Sequence, residues 1–458
     1  MARRARALRA FSSEAPGHMI IKTLAVSALA LAGTLQAAAA ADPAPPASGG
    51  LVTRGWTETQ GGRGGRLIKV TTLAASGPGS LAEAVAAAGP RIVVFEVGGV
   101  IDMGGQPLKI TQPFLTLAGQ TAPDPGISLI KAETTISTHD VVIQHLSFRP
   151  GEFGRPKKGG GDQDGISTLG GAHDVIVDHC TFSWATDENL SASGPRFNGS
   201  TPEEWRRGTS HRITYSHNLI YEGLGLSVHE KGEHSKGSLI HDNTSGVLLY
   251  GNVYASNRQR NALFKGGAQG AMVNNYIFNP GDRAVHYNLL ANEWVGQPWQ
   301  VGRLTLVGNA MRHGPSTVAG TAFFTLLGQG DLALHMTDNL AHDAQGRPVP
   351  LLGNNAQTTG KLIVLPRPEL PAGLAIRPAA ELAHELPPRV GSRPWARDPL
   401  DARLLADMAQ GRGRLIDSEV ENALGYPRHA PTRRAFRPED WNLDDMSPKA
   451  GWPSLPKP

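Results

Sequence analysis

The chain of 458 residues carries 55 glycines and 34 prolines, close to a fifth of the whole against roughly 12% in ordinary proteins, which argues against a bundle of long helices. With 40% apolar, 18% charged and 6% aromatic residues, it has enough apolar sequence for a core and is neither membrane-like nor disordered in composition. The formal charge of +4 does not mark a nucleic-acid binder. It resides in the first 41 residues, where Arg3, Arg4, Arg6, Arg9 and Lys22 face only Glu14, and the remainder is balanced.

From Met19, which can serve as the true start, one lysine precedes an apolar stretch from Leu24 to Leu35 and a small-residue zone ending near Ala41. This is the pattern of an export signal over residues 1–41, and its apolar stretch is shorter than the roughly 20 residues a membrane span requires. The expected product is secreted, extracellular or periplasmic, with no stable membrane association. The single cysteine, Cys180, allows no internal disulfide, so stability must come from the core.

Along the mature chain, Ser80 and Glu83 have capping-box spacing before a short apolar helical pattern that runs to about Ala88. The run RIVVFEVGGVI from Arg91 reads as the first full strand. Short β-type runs then recur with a polar residue at a matching place: His145, His179, His217, Asn252, Asn275, Asn309 and Asn339. No such unit can bury its own apolar face. Stacked as parallel coils, the units share one interior, and the recurring polar residue can form a ladder between coils. The blade signatures of a propeller are missing.

The predicted fold is therefore all-β: a right-handed parallel β-helix over residues 42–365 with a short N-terminal capping helix. Residues 366–458 hold 15 of the 34 prolines and one plausible helix, Asp401 to Gln410, and are expected to pack as an extended tail on the outside of the solenoid.

Two coils are dense in acid. GGGDQDGIST places Asp162 and Asp164 at i, i+2, on one face of a strand end, and the next coil supplies Asp178, Asp187 and Glu188. Stacked coils lie about 4.8 Å apart, so these acids can converge. An oxygen-rich, cysteine-free cluster suits Ca²⁺, whereas a lone Asp-x-Asp would be read as a polar turn. His179 reads as a hydrogen-bonded corner histidine supported by Asp178, and Trp184 as packing. Further on, Arg260 and Lys265 flank a short apolar run, which spacing alone does not mark as a site.

With GGRGGRLIKVTTLAASGPGSL, LTLAGQTAPDPGISL, VIVDHCTFSWATDE, RQRNALFKGG and MVNNYIFN in this order, the chain resembles the pectate lyases of polysaccharide lyase family 1 over most of its mature length. Even the tail segment from Val390 is similar to that of bacterial members. The resemblance implies a Ca²⁺-dependent polyuronate site in a groove on one face of the β-helix. Asp162 and Asp164 match the calcium-binding Asp-x-Asp element and Asp187 a second ligand. Arg260 matches the arginine taken as the base, Lys265 stands at a second arginine, and Lys236 aligns loosely with a lysine that contacts substrate carboxylate. The sequence departs from the family at Ser191, where an acid is frequent, and at Ala262 and Lys265; either Glu188 replaces the missing ligand or the calcium site is reshaped or weaker.

The expected activity is β-elimination on pectate, giving unsaturated oligouronides, by a monomer whose partner is an acidic polysaccharide. An arginine base predicts an alkaline optimum. The competing readings are a β-helical hydrolase using Asp187 and Glu188, a lyase for another polyuronate, and a non-catalytic carbohydrate-binding solenoid. Adjacent strand residues point to opposite faces, which makes Asp187 and Glu188 a poor acid/base pair and leaves Arg260 without a purpose in a hydrolase.

Overall fold

The computed structural model describes residues 52–353, 357–422 and 424–455; the export-signal reading at residues 1–41 lies outside the described residues. Short strands stack into three long sheets in which nearly every neighbour is parallel. The first sheet runs from Arg66–Val70 through His139–Gln144, His173–Asp178 and His211–Ser216 to Leu362–Val364. The second holds Ile166–Thr168, Leu190–Ala192, Leu239–Ile240 and Leu263–Lys265, and the third Ser147–Arg149, Thr181–Ser183 and Leu219–Tyr221. Each coil contributes one strand to each sheet, which makes the fold a right-handed parallel β-helix, as the repeats imply.

Strand alternation explains the core. Val141, Ile143, Val175, Val177, Ile213, Tyr215, Val247 and Leu249 share the inner face of the first sheet and are all fully buried. Coil-to-coil register keeps like above like, as where Phe148 stacks on Phe182 with ring centroids 5.2 Å apart.

The recurring polar position resolves into two ladders one residue apart. His145, His179 and His217 stack at centroid distances of 5.1 and 4.7 Å, each at positive φ. This corner demands the left-handed region, so later coils place Gly251, Asn274, Gly308 and Asp338 there. The next residue forms the amide ladder: Asn252 Oδ1 accepts from both the backbone and the side-chain N–H of Asn218, at 2.9 and 3.0 Å, and Asn275, Asn309 and Asn339 repeat the pattern. As expected, Asp178 supports the histidine corner, bonding His179 Nδ1 at 2.7 Å and the Ser216 hydroxyl at 2.6 Å.

Other boundaries differ from expectation. The first strand is Arg66–Val70, and the run from Arg91 breaks at Glu96 into Arg91–Phe95 and Val97–Asp102 on two different sheets. The capping helix is Leu81–Ala86; Ser80 caps it, but Glu83 returns to the N–H of Gly79 instead of Ser80.

The tail helix begins earlier than expected, at Pro399–Ala409, because Asp398 accepts the N–H groups of Leu400 and Asp401. Its Leu404 and Met408, with Leu382, Leu386 and Val390, cover Leu219, Tyr221, Val253 and Phe278 on the third sheet. Arg149, fully buried, bonds Asp398 at 2.7 Å and Asp401 at 2.9 Å. Among the described residues no helix is long and apolar enough to cross a membrane.

Candidate active site

The acids converge just before the strands of the second sheet. Glu188 pairs in parallel register with Lys236, and Lys236 with Gln259, while Asp164 stands one coil earlier, two residues before Ile166, which pairs with Leu190. Asp164 Oδ1 accepts the Glu188 N–H at 2.9 Å. Carboxylate oxygens of Asp164, Asp187 and Glu188 all lie within 4.8 Å of one another. Asp187 and Glu188 are not on opposite faces of a regular strand, because Asp187 lies in a bend and Glu188 makes only an isolated bridge before Leu190–Ala192 begins.

Crowding of these carboxylates shows in their ionisation. Burial, and then the charge of Asp187, hold the Asp164 carboxyl well above its ordinary value of 3.8. Burial also disfavours the Asp187 carboxylate, but His234 and Arg260 outweigh it and lower its pKa. Glu133, one coil before Asp164, is raised by burial and by Asp162. Asp162 itself is exposed at the edge and stays outside the three-acid cluster.

Arg260 reaches the same place from two coils on and forms an ion pair with Glu188. Burial lowers its pKa below the ordinary arginine value, against the pull of Asp187 and Asp164. Lys236 is also mostly buried; its Nζ donates to Gln259 Oε1 at 2.9 Å, and Gln259 Nε2 donates to Asp282 at 2.8 Å. Burial pushes the Lys236 ammonium down to about 8.

Lys265, in contrast, is not brought to this cluster. It ends its strand in ion pairs with Glu293 and with the fully buried Asp242 at 3.5 Å, in a separate network with Arg196 and Trp294. Trp184 is fully buried against Leu224, Leu400 and Ile416, with Tyr426 at its edge, so it packs and does not face a ligand.

Two residues that sequence reading missed complete the surroundings. The rings of His229 and His234 stack 3.6 Å apart, with Nε2 atoms 3.6 Å from Asp187 Oδ2 and 3.4 Å from Asp187 Oδ1. The only sequence signal is two histidines five residues apart in a loop with no periodicity.

The residues present fit a hard divalent cation. The donor set is all carboxylate oxygen, and the crowding that raises the Asp164 pKa is what a bound cation would relieve. Ser191, the departure noted in the sequence, is buried with an unpartnered hydroxyl.

A curated relative from Aspergillus terreus, named "Probable pectate lyase C", is 30% identical over 375 residues, covering 80% of this chain and 78% of the relative. The chain belongs to the pectate lyase family. A relative of the same name from Neosartorya fischeri matches over the same length at 30% identity, again covering 80% of this chain and 78% of the relative. Among solved structures, the cedar-pollen major allergen jun a 1 shares the fold of this family member, with a TM-score of 0.52 at 14% identity, covering 73% of this chain and 90% of the allergen. No protein-family model matches the chain.

Proposed function

We propose that this family member is an exported lyase that cleaves pectate by calcium-dependent β-elimination. The observation that carries the reading is the meeting of Asp164, Asp187 and Glu188 within 4.8 Å, with Arg260 paired to Glu188 at their edge. The names of the curated relatives supply the substrate, and membership of the family supplies the reaction class.

Asp164, Asp187 and Glu188 would hold the cation, with Asp162 and Glu133 adding negative potential nearby. Bound calcium would supply Lewis-acid stabilisation of the negative charge that develops beside the substrate carboxylate. Arg260 takes the proton from the carbon next to that carboxylate; the freed electron pair forms the carbon–carbon double bond, and the glycosidic oxygen leaves with its bonding electrons. Burial supports this role by bringing the neutral guanidine closer in energy. Lys236, on the ladder next to Glu188, is suited to hold a substrate carboxylate. Its burial makes that contact stronger than a surface pair would be.

The hydrolase reading is less well supported. Glycoside hydrolysis needs two carboxyl groups set apart across the scissile bond, whereas these three share one tight cluster. Product chemistry separates the two. Digestion of polygalacturonate is expected to give oligomers with unsaturated, ultraviolet-absorbing ends, and new reducing ends without absorbance would establish hydrolysis instead.

A further inference from the structure

Two clusters of histidine and acid among the described residues could hold a metal, apart from the carboxylate trio. In one, His179 and His217 both turn Nδ1 to Asp178, at 2.7 and 3.3 Å, so the carboxylate is already committed to the corner ladder. The other, Asp187 with His229 and His234, is not committed in this way. His229 is 2% exposed, and its Nε2 has no hydrogen-bond partner.

Hydrogen bonding fixes the two tautomers. His234 Nδ1 lies 3.1 Å from the Gly232 carbonyl, which can only accept, so Nδ1 carries a proton and Nε2 is the ring nitrogen left to face Asp187. Nε2 stands 3.4 Å from Asp187 Oδ1, a separation that a shared proton or a metal ion can bridge. His229 is the reverse: its Nδ1 accepts the Lys231 N–H at 3.2 Å, so the neutral ring holds its proton on Nε2, toward the other oxygen of Asp187.

We propose that His234 Nε2 and Asp187 Oδ1 are the core of a mixed nitrogen–oxygen site for a first-row divalent transition metal, with His229 orienting the second oxygen of Asp187. Imidazole favours metals of the cobalt-to-zinc series, while Ca²⁺ gains little from nitrogen, so the single carboxylate Asp187 belongs to two sets of donors of different softness. Histidine-bound metal at Asp187 then excludes calcium from the trio. The proposal rests on the calcium reading for that competition, but the site itself does not.

The test is Co²⁺ titration of the full chain after chelator stripping, followed by visible absorption, with Ca²⁺ affinity measured separately by calorimetry. Wild type is expected to bind Co²⁺ with an intensified ligand-field spectrum that excess Ca²⁺ removes. His234→Gln is expected to weaken Co²⁺ about tenfold or more while leaving Ca²⁺ affinity within about threefold. Should that variant fail to fold, pulsed EPR of wild type with one equivalent of Cu²⁺ is expected to show coupling to an imidazole nitrogen that Ca²⁺ abolishes. Equal Co²⁺ binding by both chains, or Cu²⁺ without imidazole coupling, overturns the proposal. Co²⁺ bound through His234 in a chain that binds no Ca²⁺ would leave this site standing and end the calcium reading instead.

Discussion

Glu188 is ion-paired with Arg260 across two coils, so the extra acid of this chain and the proposed base are direct partners. Glu188 has two claims on it, the cation and the guanidinium, and substitutions should separate them.

Arg260→Ala is expected to lower kcat by about 10²-fold or more, since a positioned proton acceptor contributes on that order. Ca²⁺ affinity should hold or rise, because the competing cation at Glu188 is gone. Calorimetry and initial rates check both halves. Activity within threefold of wild type, or full activity near pH 5, would remove Arg260 from the role of base.

Lys236 makes a prediction about pH. Its ammonium is pushed down to about 8 by burial, so it loses its charge as the medium passes that pH, while Arg260 demands alkaline conditions. KM for polygalacturonate is therefore expected to rise above about pH 8 before kcat falls, and Lys236→Arg should flatten that rise. A KM profile unaffected by the substitution would remove Lys236 from substrate binding.

Much of the fold was legible because one coil repeats. A left-handed corner residue followed by a hydrogen-bonded one recurs from His145 to Asn339, and stacking is the only way to bury the runs between. Sequence reading merged the two ladders because both positions accept polar residues; only backbone φ separates His217 from Asn218. The acids and Arg260 were legible as residues of the right type on neighbouring coils. Their convergence followed from the coil spacing; the exclusion of Asp162 and the pairing of Glu188 with Arg260 did not, because strand periodicity lapses around Asp187. Glu133, His229 and His234 carry no repeat signal, and Asp242 and Glu293, which pair with Lys265, sit in the irregular turns that follow the strands of the two adjacent coils.

Asp164 links the site to stability. Its folded pKa is raised above the ordinary 3.8, so the folded chain binds more protons there than the unfolded chain, and stability of the metal-free protein falls as pH rises from about 4 toward the folded pKa. Thermal unfolding after chelation is expected to show this decline, and Ca²⁺ should reverse it by binding the folded state alone. Asp164→Asn should flatten the decline, stabilise the chelated protein and abolish the gain from Ca²⁺. A variant that still gains as much from Ca²⁺ as wild type would place the cation elsewhere.

Arg149 tests how the tail is held. Removing its charge leaves Asp398 and Asp401 buried without their partner, a change that costs about 3–5 kcal/mol in comparable pairs. Arg149→Met is expected to lower stability on that scale and to expose the segment around Pro399–Ala409 to proteolysis, with the β-helix core resisting longer. Loss of both at the same rate would make tail and solenoid one cooperative unit.

The most direct measurement of the central claim is the growth of ultraviolet absorbance on polygalacturonate, recorded with Ca²⁺, after addition of a chelator, and after Ca²⁺ is restored. Absorbance should grow, stop and resume, and Asp164→Asn should stay flat throughout. No absorbing product on any polyuronate, or growth that ignores the chelator, would contradict the account.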